Sequence, residues 1–210
     1  MKVSEPVTRR LPRYYRYLQD LKEQGVKRIS SKELSNIMGI TASQIRQDLN
    51  CFGGFGQQGY GYNVEYLYQE IATILGTNKE NELIILGGGN LGKAICNYAN
   101  FKKRGFNISA IFDNNPEIIG TDLNGIPIYD IKELEEYLSS HKIDIAVFAL
   151  PAVGVKAVLD TVIKSGIRGI WNFSYLDLKV PDNVAMVNVH LSDSLMTLSY
   201  KMHCMEEEKN

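Results

Sequence analysis

The strongest constraint on the fold of this chain is an apolar run that leads directly into a glycine-rich turn. Leu83–Leu86 is a continuous run of large apolar residues, as in a parallel strand that is buried on both faces. The turn that follows, GGGNLG, places Gly87, Gly89 and Gly92 in the pattern G-x-G-x-x-G. In this pattern two glycines allow a tight turn and a close approach of the backbone to a pyrophosphate, and the third lets the next helix pack on the strand. We therefore predict a dinucleotide site at the N-terminus of a helix whose inward residues are Leu91, Ala94, Ile95 and Tyr98.

A second apolar strand and the acid at its end indicate which dinucleotide is bound. Ile108–Phe112 is followed by Asp113, which lies 21 residues after Gly92. An acid at this spacing binds the adenosine ribose hydroxyls, and its charge would repel a 2′-phosphate. We therefore predict NAD(H) rather than NADP(H) as the cofactor. Asp113 could instead be a plain turn residue, since Asn114, Asn115 and Pro116 follow it.

Two further strands are predicted over residues 143–150 and 167–173. The carboxyl ends of parallel strands hold the ligand of an open sheet, so the loops after these strands should flank the nicotinamide. The predicted cofactor-binding residues of the glycine turn and the strand ends are Gly87, Gly88, Gly89, Asn90, Leu91, Gly92, Asp113, Asn114, Ala149, Leu150, Pro151, Asn172 and Ser174.

The predicted dinucleotide domain has no recognisable catalyst. The histidines are His141, His190 and His203, and no Lys-Tyr pair or thiol stands in a catalytic setting. His190 could act as an acid or base, but a lone histidine near a strand end is more often structural. We predict a binding protein rather than an enzyme. A small NAD-dependent reductase and a CoA-binding module remain as alternatives.

The charge of the chain is divided unevenly along its length. Residues 1–50 hold ten Lys and Arg against five acids, a net charge of +5, while the whole chain carries −1. A basic head on an acidic body suggests that the head meets a polyanion, although an ordinary solvated surface is the alternative.

The basic head has the pattern of a helix-turn-helix. In a first helix Leu11, Tyr14, Leu18 and Leu21 share one face, and Pro12 suits its first turn. Ser30 and Glu33 form a capping-box pattern at the start of a second helix, which Gly39 ends. Another capping signature, Thr41-Ala42-Ser43-Gln44, opens a third helix only two residues later. Two short helices that meet across a tight turn are typical of this DNA-binding motif.

The third helix and the segment after it predict contacts with DNA. Ala42, Ile45, Leu49 and Phe52 form its inward face, so its polar residues point outward and can bond base edges in a major groove. The following FGGFGQQGYGYN predicts a glycine-rich hairpin, or wing, with the uncharged tip Gln57-Gln58. A further helix from about Asn63 to Gly76 would lead to the next domain.

The last segment predicts a helix that packs against a second subunit. Leu191, Leu195, Leu198, Met202 and Met205 share one face at heptad spacing and must be buried somewhere. They could pack on their own domain, but a palindromic DNA site favours a twofold homodimer. We therefore predict three parts: a winged helix-turn-helix over residues 1–78, a Rossmann domain over 79–190, and a dimerisation helix and tail over 191–210.

Other features of the sequence limit the compartment and the cofactors. No window reaches the ~18 unbroken apolar residues of a membrane span, so we predict a cytoplasmic protein without membrane contact. Cys51, Cys96 and Cys204 lie far apart and lack the spacing of a zinc or redox site, so no metal is predicted.

With these features together, the chain resembles the Rex family of redox-sensing transcriptional repressors. The resemblance runs through RLPRYYRYL, GVKRISSKELS, SQIRQDLNCFGGFGQQGYGYNVEYL, LGGGNLGKA, FDNNPEIIG, LPA and NFS. It implies a homodimer with exchanged C-terminal helices that binds palindromic operator DNA when NADH is scarce and releases it when NADH binds.

The resemblance also implies roles for individual residues. The implied or predicted DNA contacts are Arg9, Arg13, Arg16, Ser43, Gln44, Arg46, Gln47, Gln58, Gly59 and Tyr60. Arg16 and Tyr98 match family positions associated with the redox-dependent switch, and Tyr98 is placed with the cofactor site. At two places the sequence differs from the family: the wing tip has no basic residue, and His190 stands where Asp is common. A neutral imidazole cannot form the same charge-assisted bond to Arg16.

Overall fold

The computed structural model describes residues 4–57 and 60–207, without the side chains of residues 56 and 57. It divides into two compact units, and the boundary along the chain falls between Lys79 and Glu80. In chain order, the elements of the first unit are α1 (Glu5–Glu23), β1 (Arg28–Ile29), α2 (Ser31–Met38), α3 (Ala42–Asn50), β2 (Gly56–Gln57), β3 (Gly61–Asn63) and α4 (Val64–Leu75).

Helix α1 begins earlier than its sequence pattern predicts. Its first turn holds Pro6, so the prediction that Pro12 occupies the first turn is wrong, and Pro12 lies inside the helix. The apolar face continues towards the N-terminus through the buried Val7, and this burial supports the additional turns. The four predicted inward residues of α1, from Leu11 to Leu21, are all buried.

The predicted helix-turn-helix is confirmed, and its caps form as expected. The Ser30 hydroxyl accepts a hydrogen bond from the Glu33 amide at 3.1 Å, and the Glu33 carboxylate accepts one from the Ser30 amide at 2.8 Å. Gly39 ends α2 with a φ of 66°, a left-handed conformation that glycine adopts without strain. The Thr41 hydroxyl then accepts from the Gln44 amide at 3.1 Å and opens α3.

A three-stranded antiparallel sheet, ordered β1-β3-β2, contains the predicted wing. The hairpin of β2 and β3 pairs Gly56 with Tyr62, and β1 adds the pair of Ile29 with Tyr62 on the other edge of β3. At Gly61 a Cβ atom would lie 2.7 Å from the Ile29 carbonyl oxygen, so only glycine fits between these strands. The predicted DNA contacts Gln58 and Gly59 lie outside the described residues.

The second unit is a doubly wound α/β domain. Its elements are β4 (Asn81–Leu86), α5 (Asn90–Cys96), α6 (Asn100–Lys103), β5 (Phe106–Asp113), β6 (Asp122–Leu123), β7 (Ile126–Asp130), a 3₁₀ turn (Ile131–Glu133), α7 (Leu134–Ser140), β8 (Ile145–Phe148), α8 (Ala152–Lys164), β9 (Gly169–Asn172), β10 (Ala185–Asn188) and α9 (Leu191–Glu207). The sheet order is β10-β9-β8-β4-β5-β7-β6, and only β6 pairs antiparallel with its neighbour. Without β6, this is the strand order of a Rossmann domain, which confirms the predicted fold class.

Strands β8 and β9 are shorter than the apolar runs that predict them. The runs cover residues 143–150 and 167–173, whereas the strands cover four residues each. Ile143 and Ile167 precede these strands and are nevertheless buried in the core, at 8% and 2% exposure. The apolar pattern therefore indicates which residues are buried, and the hydrogen-bonded strand is shorter than the buried segment.

Helix α5 buries fewer residues than predicted. It ends at Cys96, so Tyr98 lies beyond it and is 48% exposed. Ala94 is exposed as well, and the prediction that both residues face inward is wrong. A helix of only two turns has a narrow inward face, which Gly92 and Ile95 fill.

Helix α9 has no buried residue along its whole length. The five predicted apolar positions are between 53% and 67% exposed, so the alternative that they pack on their own domain is wrong. In the ranges that the structure describes, no helix combines the length and the apolar character needed to cross a membrane.

The glycine turn gives a matched pair of substitutions. In Gly92→Ala the new Cβ would collide with the Gly87 carbonyl oxygen, whereas at Gly89 a Cβ meets nothing within 4 Å. We expect Gly92→Ala to lower the free energy of unfolding by about 1–3 kcal/mol, and Gly89→Ala to change it by less than about 0.5 kcal/mol. Urea unfolding followed by the fluorescence of the single tryptophan, Trp171, measures both. Equal losses in the two variants would contradict the packing role of Gly92.

Candidate nucleic-acid interface and dinucleotide site

Helix α3 presents a polar surface at its outer face. Ser43, Arg46, Gln47 and Asn50 are exposed, and together with Cys51 they line one shallow depression of the surface. The Arg46 guanidinium also donates to the Ser31 hydroxyl at 3.0 Å, which ties α3 to the start of α2. Three of the predicted DNA contacts therefore lie side by side on α3.

Gln44 differs from the other predicted contacts on this helix. It is half-buried, and its side-chain nitrogen donates to Asp48, one turn further along α3, at 2.8 Å. Sequence reasoning missed Asp48, whose side chain is fully buried. The available signal is an acid on the inward face of an amphipathic helix, between Ile45 and Leu49.

The Asp48 carboxylate receives four hydrogen bonds. Arg10 of α1 binds it with two nitrogens, from Nε to Oδ2 at 2.6 Å and from Nη2 to Oδ1 at 2.7 Å. The Tyr14 hydroxyl donates to Oδ2 at 2.9 Å, and Gln44 supplies the fourth bond. Burial by itself raises the pKa of Asp48, but the bonds from Arg10, Gln44 and Tyr14 outweigh it and hold that pKa below its ordinary value.

The same contacts change the other two titratable groups. Burial raises the pKa of Tyr14, and its hydrogen bond to Asp48 raises it further, so Tyr14 stays a neutral donor. The hydrogen bond to Asp48 raises the pKa of Arg10. Partial burial has the opposite effect, but it is smaller. A charged bidentate pair thus joins α1 to α3.

The three predicted arginine contacts of α1 have different surroundings. Arg9 is exposed and pairs with Glu5 at 2.6 Å, and Arg16 is exposed beside the Tyr17 ring, 5.6 Å from its centroid. The Arg13 guanidinium donates to the Met38 carbonyl oxygen at the end of α2, at 2.7 Å, so this side chain is engaged within its own unit.

Tyr60, which directly precedes β3 in the connection of the wing hairpin, is 69% exposed. Its carbonyl oxygen accepts a hydrogen bond from Arg28 at 3.2 Å, and its ring centroid lies 5.9 Å from the same guanidinium. The wing therefore presents an aromatic ring that is held by a cation of β1.

The glycine turn between β4 and α5 fits closely between its neighbours. Gly87 has a φ of 105°, and a Cβ there would lie 2.6 Å from the Ala149 carbonyl oxygen. The Gly88 amide donates to Asp113 at 2.5 Å. Gly89 is the N-cap residue of α5 and has no side chain to cap the helix. A Cβ at this position would meet nothing within 4 Å, so the space beside it is open. Asn90, Leu91 and Gly92 form the first turn of α5, where backbone amides have no acceptor within the helix.

Asp113 lies at the end of β5 and is nearly buried, at 9% exposure. Besides Gly88, it accepts a hydrogen bond from the Asn115 amide at 2.8 Å, so the turn role that the sequence leaves open is present. A carboxylate has about four acceptor sites, and two remain for other donors. Asn114, which lies between Asp113 and Asn115 in the chain, is exposed.

Asn172 and Ser174 do not present their side chains to solvent. The Asn172 amide nitrogen donates to the Leu176 carbonyl oxygen and to Asn188, and its oxygen accepts two bonds from Ser174. These four bonds use the full capacity of the Asn172 side chain, which is 0% exposed. Both residues therefore hold the loop after β9 in place.

A cleft of about 500 Å³ lies beside the ends of β8 and β9. Of the predicted residues, Leu150, Pro151 and Ser174 line it, together with His190. Ala149 is half-buried at the Gly87 turn, and Tyr98 packs on the Phe101 ring at 4.7 Å. The cleft also contains residues that the sequence did not assign to the cofactor site, namely Ala152, Val153, Phe173, Tyr175, Leu191 and Ser192.

The buried ion pair of α1 and α3 can be compared with an exposed one. We expect Arg10→Ala to lower the free energy of unfolding by about 3 kcal/mol at pH 7, because Asp48 is left as a buried charge without its cation. The exposed pair of Lys22 and Glu65, at 2.9 Å, is the control, and Lys22→Ala should cost less than about 1 kcal/mol. Urea unfolding followed by circular dichroism measures both.

The loss in Arg10→Ala should shrink as the pH falls. In the native protein the pKa of Asp48 lies below that of the unfolded chain, so its stabilising contribution is present above about pH 4 and is lost on acidification through the lower, folded pKa. Without Arg10, burial raises the pKa of Asp48, so protonation relieves the buried charge. A loss that is independent of pH would contradict the role assigned to this pair.

Two families match parts of the chain. Residues 2–50 match the family described as putative DNA-binding protein N-terminus, and residues 78–176 match the family described as CoA binding domain.

Curated relatives and solved structures match nearly the full length. The redox-sensing transcriptional repressor Rex of Thermoanaerobacter pseudethanolicus is 55% identical over 207 residues, covering 99% of this chain and 92% of the relative. Rex of Clostridioides difficile is 54% identical over 200 residues, covering 95% of each. The crystal structure of RSP in complex with β-NAD⁺ and operator DNA has a TM-score of 0.93 and 53% identity, covering 100% of this chain and 96% of that one.

A second RSP structure, in complex with β-NADH, has a TM-score of 0.90 and 50% identity, covering 100% of this chain and 98% of that one. The relatives are named as transcriptional repressors and not as enzymes. With this identity over nearly its whole length, the chain belongs to the Rex family of redox-sensing transcriptional repressors.

Proposed function

We propose that this protein binds palindromic operator DNA as a homodimer and releases it when NADH binds at the glycine turn. The observation that carries the proposal is the match over the whole chain to RSP bound to both β-NAD⁺ and operator DNA, because it includes both units. Repression of bacterial genes takes place at the chromosome, so we assign the protein to the cytoplasm.

The exposed face of α3 is the part that recognises DNA in this proposal. Ser43, Arg46 and Gln47 lie there together, and Arg9 and Arg16 of α1 have exposed side chains that can neutralise phosphates. Arg13 supports the helix-turn-helix through Met38 and contributes its charge rather than a free side chain.

The glycine turn and the cleft beside it form the cofactor site in this proposal. The amides of the first turn of α5 bind the pyrophosphate, and Asp113 accepts from the ribose hydroxyls with its remaining acceptor sites. Leu150 and Pro151 flank the nicotinamide, while Asn172 and Ser174 hold the loop below it. Binding there supplies a signal of redox state and needs no catalytic group.

Helix α9 provides the surface that binds the second subunit in this proposal. Its apolar face from Leu191 to Met205 is exposed, which is costly in water and is relieved by burial against a second copy. A twofold dimer presents two recognition helices to a palindrome. NADH then acts by favouring a dimer arrangement in which the two helices no longer match successive major grooves.

Titration of operator binding tests the function. The probe is a palindromic duplex selected with the cofactor-free protein, and NADH should weaken its binding roughly 5–150-fold, the usual range of allosteric coupling. NAD⁺ should weaken it far less. Equal effects of NADH and NAD⁺ would exclude redox sensing and leave DNA binding intact. CoA, the ligand named by the family that matches residues 78–176, serves as a competitor and should displace no NADH.

Asp113 provides the test of cofactor choice. Asp113→Asn keeps an oxygen that can accept from the Gly88 amide but removes the charge that repels a 2′-phosphate. We expect the preference for NADH over NADPH to fall about tenfold or more. Binding of both cofactors is measured by calorimetry. Gly89→Ala, the control for stability, is unsuitable as a control here because Gly89 lies in the proposed cofactor site. An unchanged ratio would show that Asp113 does not select the cofactor.

A further inference from the structure

We propose that Asp48 is a positioning residue for base recognition, which fixes the side-chain amide of Gln44 in one orientation towards the DNA. The inference rests on the proposed function, and it adds that a fully buried carboxylate contributes to the sequence preference of the recognition helix. Asp48 itself touches no DNA in this proposal.

The orientation of Asp48 is set from outside the recognition helix. Arg10 and Tyr14 both belong to α1, and they supply three of the four hydrogen bonds that the carboxylate accepts. Both oxygens are bound by α1, so the carboxylate cannot rotate without breaking a charged bidentate pair. The remaining acceptor site on Oδ1 is therefore held at a fixed position for Gln44.

This fixed acceptor determines which end of the Gln44 amide faces inward. An ionised carboxylate only accepts hydrogen bonds, and the low pKa of Asp48 keeps it ionised. The amide nitrogen of Gln44 must therefore face Asp48, at 2.8 Å, and the flipped orientation would bring two oxygens together. An amide that otherwise has two nearly equivalent orientations is restricted to one.

The restriction leaves a defined hydrogen-bonding edge on Gln44. Its oxygen and its second N–H have no partner within the described part of the chain. A Gln side chain that offers an acceptor beside a donor matches the N6 and N7 edge of adenine in the major groove. Gln44 is the third residue of α3, and the first turns of a recognition helix are those that contact base edges.

A selection experiment tests the proposal on the full-length protein. Wild type, Gln44→Ala, Asp48→Asn and Tyr14→Phe are each used to select from palindromic duplexes with randomised half-sites. In Asp48→Asn the new amide can donate as well as accept, so Gln44 regains both orientations. In both Gln44→Ala and Asp48→Asn, we expect the preference for one base over the others to fall about tenfold, and at the same position of the half-site. Tyr14→Phe removes one of the three bonds from α1 but keeps the bidentate pair of Arg10 with both oxygens of Asp48, which is enough to prevent rotation, so it should retain that discrimination.

Different outcomes separate this proposal from the function on which it rests. If the wild type selects no sequence, the DNA-binding function fails and this proposal fails with it. If the wild type selects a sequence but Asp48→Asn retains its preference, or loses affinity equally at every position, only the positioning role is overturned. Loss of discrimination by Asp48→Asn at a position that Gln44→Ala does not affect overturns it as well.

A measurement on the wild type decides the matter if Asp48→Asn does not fold. The side-chain amide of Gln44 is assigned in the ¹⁵N NMR spectrum by its disappearance in Gln44→Ala. We expect its two hydrogens to have widely separated shifts, with the hydrogen bonded to Asp48 protected from exchange with water. Shifts and exchange like those of the exposed Gln47 would overturn the proposal.

Discussion

The second unit depends on a backbone-to-backbone contact that only glycine permits. Gly92 of α5 lies directly against the Gly87 carbonyl oxygen, and Gly87 in turn lies against the Ala149 backbone of the neighbouring strand connection. The contact of Gly92 with Gly87 brings the start of α5 close to the end of β4, because no side chain stands between them. The same closeness leaves the space before Gly89 open, where a pyrophosphate can approach the amides of the turn.

The first unit is organised by a different interaction, a charge that is buried and paired. Asp48 contributes nothing to the apolar core, yet it lies on the inward face of α3 because Arg10 and Tyr14 bind it there. A buried ion pair is weak evidence of net stability, since desolvation offsets much of the attraction. Its clearer effect is geometric: it fixes α3 relative to α1, and with it the polar face that faces DNA in the proposed function.

The sequence predicted well the features that are governed by local chemistry. The serine, threonine and glycine residues that begin and end α2 and α3 act within three or four residues, so Ser30, Gly39 and Thr41 were identified from their neighbours alone. The strand–glycine–helix pattern around Gly87 has equally local causes. The extent of β8 and β9 was overestimated because an apolar run continues as long as burial does, whereas pairing depends on the neighbouring strand.

Features that depend on distant partners could not be predicted in this way. The bond from Arg10 to Asp48 spans 38 residues, and nothing near either residue indicates the other. The two-residue strand β1 exists only because β3 passes beside it. The prediction that Asn172 and Ser174 belong to the cofactor site rests on their place at the end of a strand. Their actual bonds reach Leu176 and Asn188, which lie in a loop and an edge strand that the pattern did not predict.

The exposed face of α9 also explains why one chain cannot act alone in the proposed function. A single chain carries one recognition helix, whereas a palindrome offers two equivalent half-sites, so the spacing between two helices has no meaning in the monomer. A second copy that covers Leu195 and Leu198 removes apolar surface from water and creates that spacing at the same time. A ligand in the second unit can then change DNA affinity without touching DNA, provided that it binds one dimer arrangement more tightly than the other. In the proposed function the dimer is thus the element with two states, and the glycine turn is the site that selects between them.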